Sequence, residues 1–188
     1  MRVTVFGGSS ERIARAYQDA AYELGRLVAR RGWVLQNGAG KGRSCMGRNT
    51  DGALDAGGEV RGIIAARFLH LRHPRLDGVR TYRHLKERKA ALIRADAFIV
   101  LPGGYGTLDE IGEVLTLRQT GFIDRPIVLV NTRGFFDGLL RWIRFLAREG
   151  FVRRSDLRIF KVVPTPAGAI RALDSARRSR TIRPSSRR

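Results

Sequence analysis

Cysteine is nearly absent. The one thiol, Cys45, excludes an internal disulfide and any zinc site built on cysteine pairs, which leaves a small buried residue as its expected role. Lysine is scarce too, four of the 36 basic residues, and histidine is limited to His70, His73 and His84, too few and too scattered to predict a metal site. No apolar run approaches the roughly 18 residues needed to cross a bilayer. The opening MRVTVFGG reads as a strand, not as a charged and then greasy signal, so a cytoplasmic protein with no membrane partner is expected. Acidic residues number only 17, which gives a formal charge of +19. Such a charge ordinarily points to nucleic acid, but the arginines are spread along the whole chain. The densest cluster is 177–188, RRSRTIRPSSRR, which has no apolar period. It is expected to be a disordered tail behind a single domain of residues 1–176, and the one segment through which nucleic acid could bind.

What is present alternates. Short segments at 2–6, 33–36, 59–65, 79–82, 97–101, 126–130 and 159–163 read as strands, that at 97–101 as an apolar run short enough for an interior parallel strand. Between them, helical periodicity runs from Ile13 to near Gly32 and over 49–56, 85–95, 107–119, 135–148 and 166–177, while 67–78 reads as an irregular polar loop. Strands that alternate with helices, and are too apolar to leave one face in water, predict an α/β fold: one Rossmann-like, doubly wound domain around a parallel sheet. Trp33, Trp142, Tyr17 and Tyr22 fall on faces where core packing is the expected role.

In such a sheet ligands lie beyond the carboxyl ends of the strands. Three glycine-rich loops leave strands at that edge: Gly7 to Ser10, including Gly8 and Ser9; Gly38 to Gly47; and Gly103 to Thr107. They are expected to converge. The third is the most informative, because Gly103, Gly104 and Gly106 remove side chains where backbone N–H groups must approach an anion, and Thr107 adds a hydroxyl at the helix start. Thr107 and Glu110 also stand in T-x-x-E spacing, which by itself is mostly a capping box. A cap, however, needs neither three glycines nor the proline before them. Neither a Walker A motif nor a dinucleotide fingerprint is present, so ATP hydrolysis and hydride transfer lose ground. Tyr105, in a tight glycine loop, can face only a ligand, a partner subunit or solvent.

PGGYGTLDE, together with the upstream Glu87-Arg88-Lys89, resembles the Lonely Guy family, cytokinin-activating phosphoribohydrolases long described as lysine decarboxylases. VFGGSS, the glycine loop ending in Met46-Gly47, AGGEVRGII, and Thr116 with Gln119-Thr120-Gly121 match in the same order, over roughly residues 3–163. The resemblance implies cleavage of N6-modified AMP, or AMP itself, to free base and ribose 5-phosphate, by at least a homodimer and with neither metal nor cofactor. It implies that Arg88 and Glu110 are catalytic. Gly8, Ser9, Lys89, Gly103, Gly104, Tyr105, Gly106, Thr107 and Thr116 are then expected to touch the nucleotide.

The chemistry suits those roles. Breaking C1′–N9 develops positive charge on the ribose, which a carboxylate such as Glu110 can stabilise while orienting a water. Arg88 cannot act as a base and must serve through charge and hydrogen bonding. The chain departs from the family in having Leu85-Lys86 for Met-His, Gly38-Ala39-Gly40 for a glycine triplet, and no acid in RFLHLRHP at 67–74, where His70 and His73 are the nearest polar groups. Two other functions compete: a non-catalytic molybdenum cofactor or nucleotide carrier, since such carriers resemble the family, and nucleic-acid binding by the basic tail.

Overall fold

A computed structural model describes residues 1–181. Its strands are β1 (Arg2–Phe6), β2 (Val34–Asn37), β3 (Val60–Ala65), β4 (Val79–Tyr82), β5 (Ala97–Val100), β6 (Ile127–Val130) and β7 (Lys161–Val163). They form one seven-stranded sheet in the order β4-β3-β2-β1-β5-β6-β7, parallel throughout, as the alternation predicts. The chain winds outward from β1 through β2 and β3 to β4, then returns to lay β5 on the other side of β1. The topological switch therefore falls between β1 and β5, where the loops leaving two adjacent strands diverge and open a crevice. Every residue of β5 and β6 is buried, which is why these strands read as continuous apolar runs and not as alternating ones.

The period of two along the strands sorts the core into two layers. Val3, Val5, Leu35 and Ile99 point to one face, against α1 (Arg15–Arg30), α2 (Cys45–Asp55) and α6 (Pro166–Thr181). Phe6, Phe98, Val100 and Leu129 point to the other, against α3 (Leu85–Ile93), α4 (Tyr105–Gln119) and Leu139 and Leu140 of α5 (Asp137–Arg148). Cys45 and Trp33 are buried as expected; Trp142 is not, with 56% of its surface exposed. Periodicity assigns it to the apolar face of α5, but that stripe is wider than the strip of core the helix covers, and none of its residues is fully buried.

Two helix ends differ from the sequence reading by four residues, the others by two or fewer. Helix α2 starts at Cys45, four residues before the expected 49, because the Ser44 hydroxyl accepts the Gly47 N–H at 3.0 Å and caps it inside what reads as a glycine loop. Helix α6 runs on to Thr181, past the Arg177 boundary. Once Ala169, Ile170 and Leu173 have seeded it on the core, arginine propagates it readily. The rest of the expected tail lies outside the described residues.

Helices α1 and α2 meet backbone to backbone. A Cβ at Gly25 would stand 2.0 Å from the Asn49 carbonyl oxygen, and one at Gly52 would stand 2.0 Å from that of Tyr22. Neither obstacle is a flexible side chain, so the helices themselves would have to separate. Gly25→Ala or Gly52→Ala is expected to cost about 3 kcal/mol, read as a fall in the urea midpoint at unchanged slope.

The segment 66–76 is more ordered than its composition suggests. It opens with a 3-10 turn, Ala66–Leu71, and is then tied to the second glycine loop: Gly40 and Arg72 form an isolated bridge, and the His73 N–H donates to the Ala39 carbonyl at 2.8 Å. His73 is buried, its Nε2 lies 3.1 Å from Asp51 Oδ1, and its Nδ1 accepts the Arg75 N–H at 3.3 Å. Burial lowers its pKa in spite of Asp51. The ring has used both nitrogens within the fold, so His73 is a structural strut, whereas His70 stays at the surface.

Candidate active site

The three glycine loops converge at the switch point, and Gly8 joins them. Its N–H donates to the Pro102 carbonyl at 3.0 Å, and its own carbonyl accepts the Met46 N–H at 3.2 Å. The first loop thereby lies directly on the third: a Cβ at Gly103 would sit 2.1 Å from Thr107 Oγ1 and 2.7 Å from Gly8 N. No other residue fits at 103 without prising the two loops apart.

Gly104 is the N-cap residue of α4, in extended conformation and without any side-chain cap, and no acidic residue occupies the first turn. The helix thus presents its unpaired N–H groups and the positive end of its dipole to the crevice. Gly104 and Gly106 have open space where a Cβ would be, and Tyr105 between them is 90% exposed. Thr107 is buried against Gly103.

The T-x-x-E pair is no capping box. The N-cap lies three residues upstream of Thr107, and Glu110 turns to Arg88, whose Nη1 is 3.4 Å from Glu110 Oε1. Arg88 comes from α3, and its Nε donates to the Ile63 carbonyl at the end of β3 at 3.2 Å. Its guanidinium passes so close to the second loop that a Cβ at Gly38 would stand 2.5 Å from Nη2. Both partners are mostly buried, with 16% of the arginine and 11% of the glutamate side chain exposed. Burial pushes the Glu110 carboxyl up to about 7, an effect that Arg88 opposes without overcoming. Lys89 is engaged elsewhere, with Asp109 Oδ1 at 3.0 Å and Glu113 Oε2 at 3.3 Å, and its pKa is raised by the Asp109 hydrogen bond.

These groups wall a cavity of about 690 Å³. Of the residues expected to form a site, Gly8, Ser9, Arg88, Lys89, Gly103, Gly104, Tyr105, Gly106, Thr107 and Glu110 all line it. Thr116 does not. It is exposed nine residues further along α4, roughly 13 Å from Thr107 at the rise of an α-helix. Sequence reasoning missed other parts of the wall. Arg12 comes from the loop before α1 and Tyr17 from the first turn of that helix, Phe135 from the loop after β6, and Ile64, Phe68 and Leu71 from the end of β3 and the segment after it. Position beyond the carboxyl end of a strand was a usable signal for Arg12 and Phe135. Cys45 also touches the cavity, but burial pushes its thiol up to about 11, so it is not a nucleophile at neutral pH. Among the described residues no group of three or more His, Cys, Asp or Glu could hold a metal ion.

The arrangement sets the uncapped backbone amides at the start of α4 beside a buried carboxylate one helical turn away, with a guanidinium against it. Ile64, Phe68, Leu71 and Leu85 add apolar side chains to the same cavity's lining. This set can hold a phosphate at one end, take up developing positive charge at the carboxylate, and receive a flat or apolar group beyond.

Residues 46–173 match the family model described as possible lysine decarboxylase. The cytokinin riboside 5′-monophosphate phosphoribohydrolase LOG of Oryza sativa subsp. japonica is 39% identical over 167 residues, 87% of this chain and 69% of the rice protein. A cytokinin riboside 5′-monophosphate phosphoribohydrolase of Arabidopsis thaliana is 36% identical over 176 residues, covering 92% of this chain and 81% of the other. Among solved structures, the molybdenum cofactor carrier protein of Chlamydomonas reinhardtii superposes with a TM-score of 0.73 at 21% identity, covering 95% of this chain and 98% of the carrier. The molybdenum cofactor binding protein of Rippkaea orientalis gives 0.68 at 22% identity, covering 93% and 94%. At those identities the likeness is one of fold.

Proposed function

The chain belongs to the Lonely Guy family of cytokinin riboside 5′-monophosphate phosphoribohydrolases, and from that premise we propose that it hydrolyses the N-glycosidic bond of AMP or an N6-modified AMP to free base and ribose 5-phosphate. The observation that carries this reading is the buried Arg88–Glu110 pair one turn from the uncapped start of α4. The 5′-phosphate binds at the amides of Gly103 to Thr107, which brings C1′ beside Glu110. Water adds to C1′, the C1′–N9 bonding pair leaves with the base, and the water's proton passes to Glu110 while the base takes a proton from solvent. Arg88 holds the carboxylate in place and favours its charged form. Ile64, Phe68, Leu71 and Leu85 form an apolar wall suited to a substituent on the base.

A carrier role has less support. The likeness to molybdenum cofactor carriers is one of fold, and a buried carboxylate is a poor companion for an anionic cargo. The working unit is a homodimer or larger. Phe122 is 81% exposed, Phe151 77%, Trp142 56% and Leu108 49%, a density of bare large apolar side chains on and after α4 and α5 that favours burial against a second copy. Thr116, exposed on α4 and outside the cavity of the single chain, would reach a nucleotide only across such an interface. Among the described residues no helix is long and apolar enough to cross a membrane.

Incubation of the purified chain with AMP, N6-isopentenyl-AMP and adenosine, followed by assay of ribose 5-phosphate and free base, tests the activity. Release from at least one purine monophosphate and none from adenosine is expected. Silence across a panel of purine and pyrimidine monophosphates overturns the reading.

A further inference from the structure

The glycosidase reading leaves a charge unaccounted for. A phosphate monoester carries about −1.5 to −2 at neutral pH, whereas a helix N-terminus supplies about half a positive charge. Three cationic side chains line the cavity: Arg12, Arg88 and Lys89. Arg88 is already paired with Glu110, and Lys89 with Asp109 and Glu113. Their positive charge is answered within the protein. Arg12 differs: among the described residues it has no carboxylate partner, although its side chain forms part of the cavity wall.

Its location is also suitable. Arg12 follows the loop whose Gly8 packs on Gly103, and its backbone N–H donates to Ser10 Oγ at 3.3 Å, which closes the turn after that loop. The turn sets a long, exposed guanidinium beside the same crevice into which α4 directs its amides.

We infer that Arg12 is a substrate-binding residue that supplies the missing countercharge to the 5′-phosphate, and so sets the preference for monophosphates over free nucleosides. This rests on the glycosidase reading for its substrate but not for its anion. The guanidinium acts on ground and transition states alike, since the phosphate takes no part in bond breaking. Its loss therefore weakens binding and leaves the chemical step nearly intact.

Calorimetric titration with ribose 5-phosphate tests the binding directly, in the full chain and in Arg12→Ala, Arg12→Lys and Arg15→Ala variants. Arg15 is a neighbouring arginine of the same charge that does not line the cavity and lies 3.6 Å from Asp19. Arg12→Ala is expected to weaken ribose 5-phosphate about tenfold and to raise KM for AMP by a similar factor, with kcat changed less than about twofold. Arg12→Lys should recover part of the affinity, and Arg15→Ala should match the wild type. Equal affinity in wild type and Arg12→Ala overturns the inference, as does equal weakening by Arg15→Ala, which would mean diffuse charge and not contact. If the wild type binds ribose 5-phosphate but cleaves no monophosphate, the glycosidase reading fails while the titration still decides the role of Arg12.

Discussion

Glu110→Gln is expected to bind AMP and ribose 5-phosphate within about threefold of the wild type and to lose roughly 10³-fold in kcat. The amide keeps the size of the carboxyl and can still meet Arg88, whose Nη1 lies 3.4 Å away. What disappears is the negative charge, which matters only as the ribose becomes cationic. A merely structural carboxylate would behave otherwise, with binding and turnover falling together as the helix start loosened. A second readout needs no substrate. The Glu110 carboxyl loses its proton near 7 in the folded chain, against an ordinary value of 4.5. Between those two values the folded chain holds more protons than the unfolded one, so this group's contribution to stability falls as pH rises, by about 3 kcal/mol in all, and the whole cost is present above 7. Glutamine does not titrate. Urea unfolding of Glu110→Gln should therefore show a flatter loss of stability between pH 5 and 8 than the wild type; parallel profiles would mean that the carboxylate is not buried as described.

The cost of keeping that carboxylate dry bears on catalysis as well as on stability. In water its charge would be screened and worth little to a developing oxocarbenium ion, whereas at 11% exposure it is spent against few competitors. Arg88 makes the charged form accessible near neutral pH, and the Ile63 carbonyl stops Arg88 from closing fully on Glu110 by engaging Nε.

Which parts of this were legible in the sequence follows from how local their causes are. The strands β5 and β6 could be read because an interior parallel strand is an unbroken apolar run, as in Ala97–Val100 and Ile127–Val130, and Gly103 announced a close approach. The pairing of Arg88 with Glu110 was not local: their elements are joined only by the return of β5 beside β1, and family resemblance, not spacing, singled out the arginine. The cap at Ser44 was hidden in a glycine loop, and the docking of 66–76 depends on His73 reaching Asp51, 22 residues away. The exposure of Trp142 could not be read from one chain's periodicity, which finds an apolar face without saying what covers it. Thr116, carried over by resemblance, lies outside the cavity of the single chain.

Arg88→Ala is expected to lower kcat/KM at pH 7 by about 10²- to 10³-fold and to move the acid limb of its pH profile upward. Catalysis by the Glu110 carboxylate predicts that wild-type kcat/KM rises with pH through a midpoint near 7, the value at which the buried group ionises. Of the influences on that group, desolvation raises the value and Arg88 lowers it both by charge and by hydrogen bonding. Removing the guanidinium leaves desolvation, reinforced by the Asp109 charge, opposed only by the weaker influence of Lys89, so ionisation must be displaced to higher pH. Arg88→Lys should fall between the two, because an ammonium offers no planar fork to serve the Ile63 carbonyl and Glu110 together. The midpoint, unlike the absolute rate, does not depend on what fraction of a variant is folded. A midpoint that stays near 7 in Arg88→Ala would separate the arginine from the carboxylate, and a wild-type profile that only falls with rising pH would make Glu110 a proton donor to the leaving base instead of the acceptor from water.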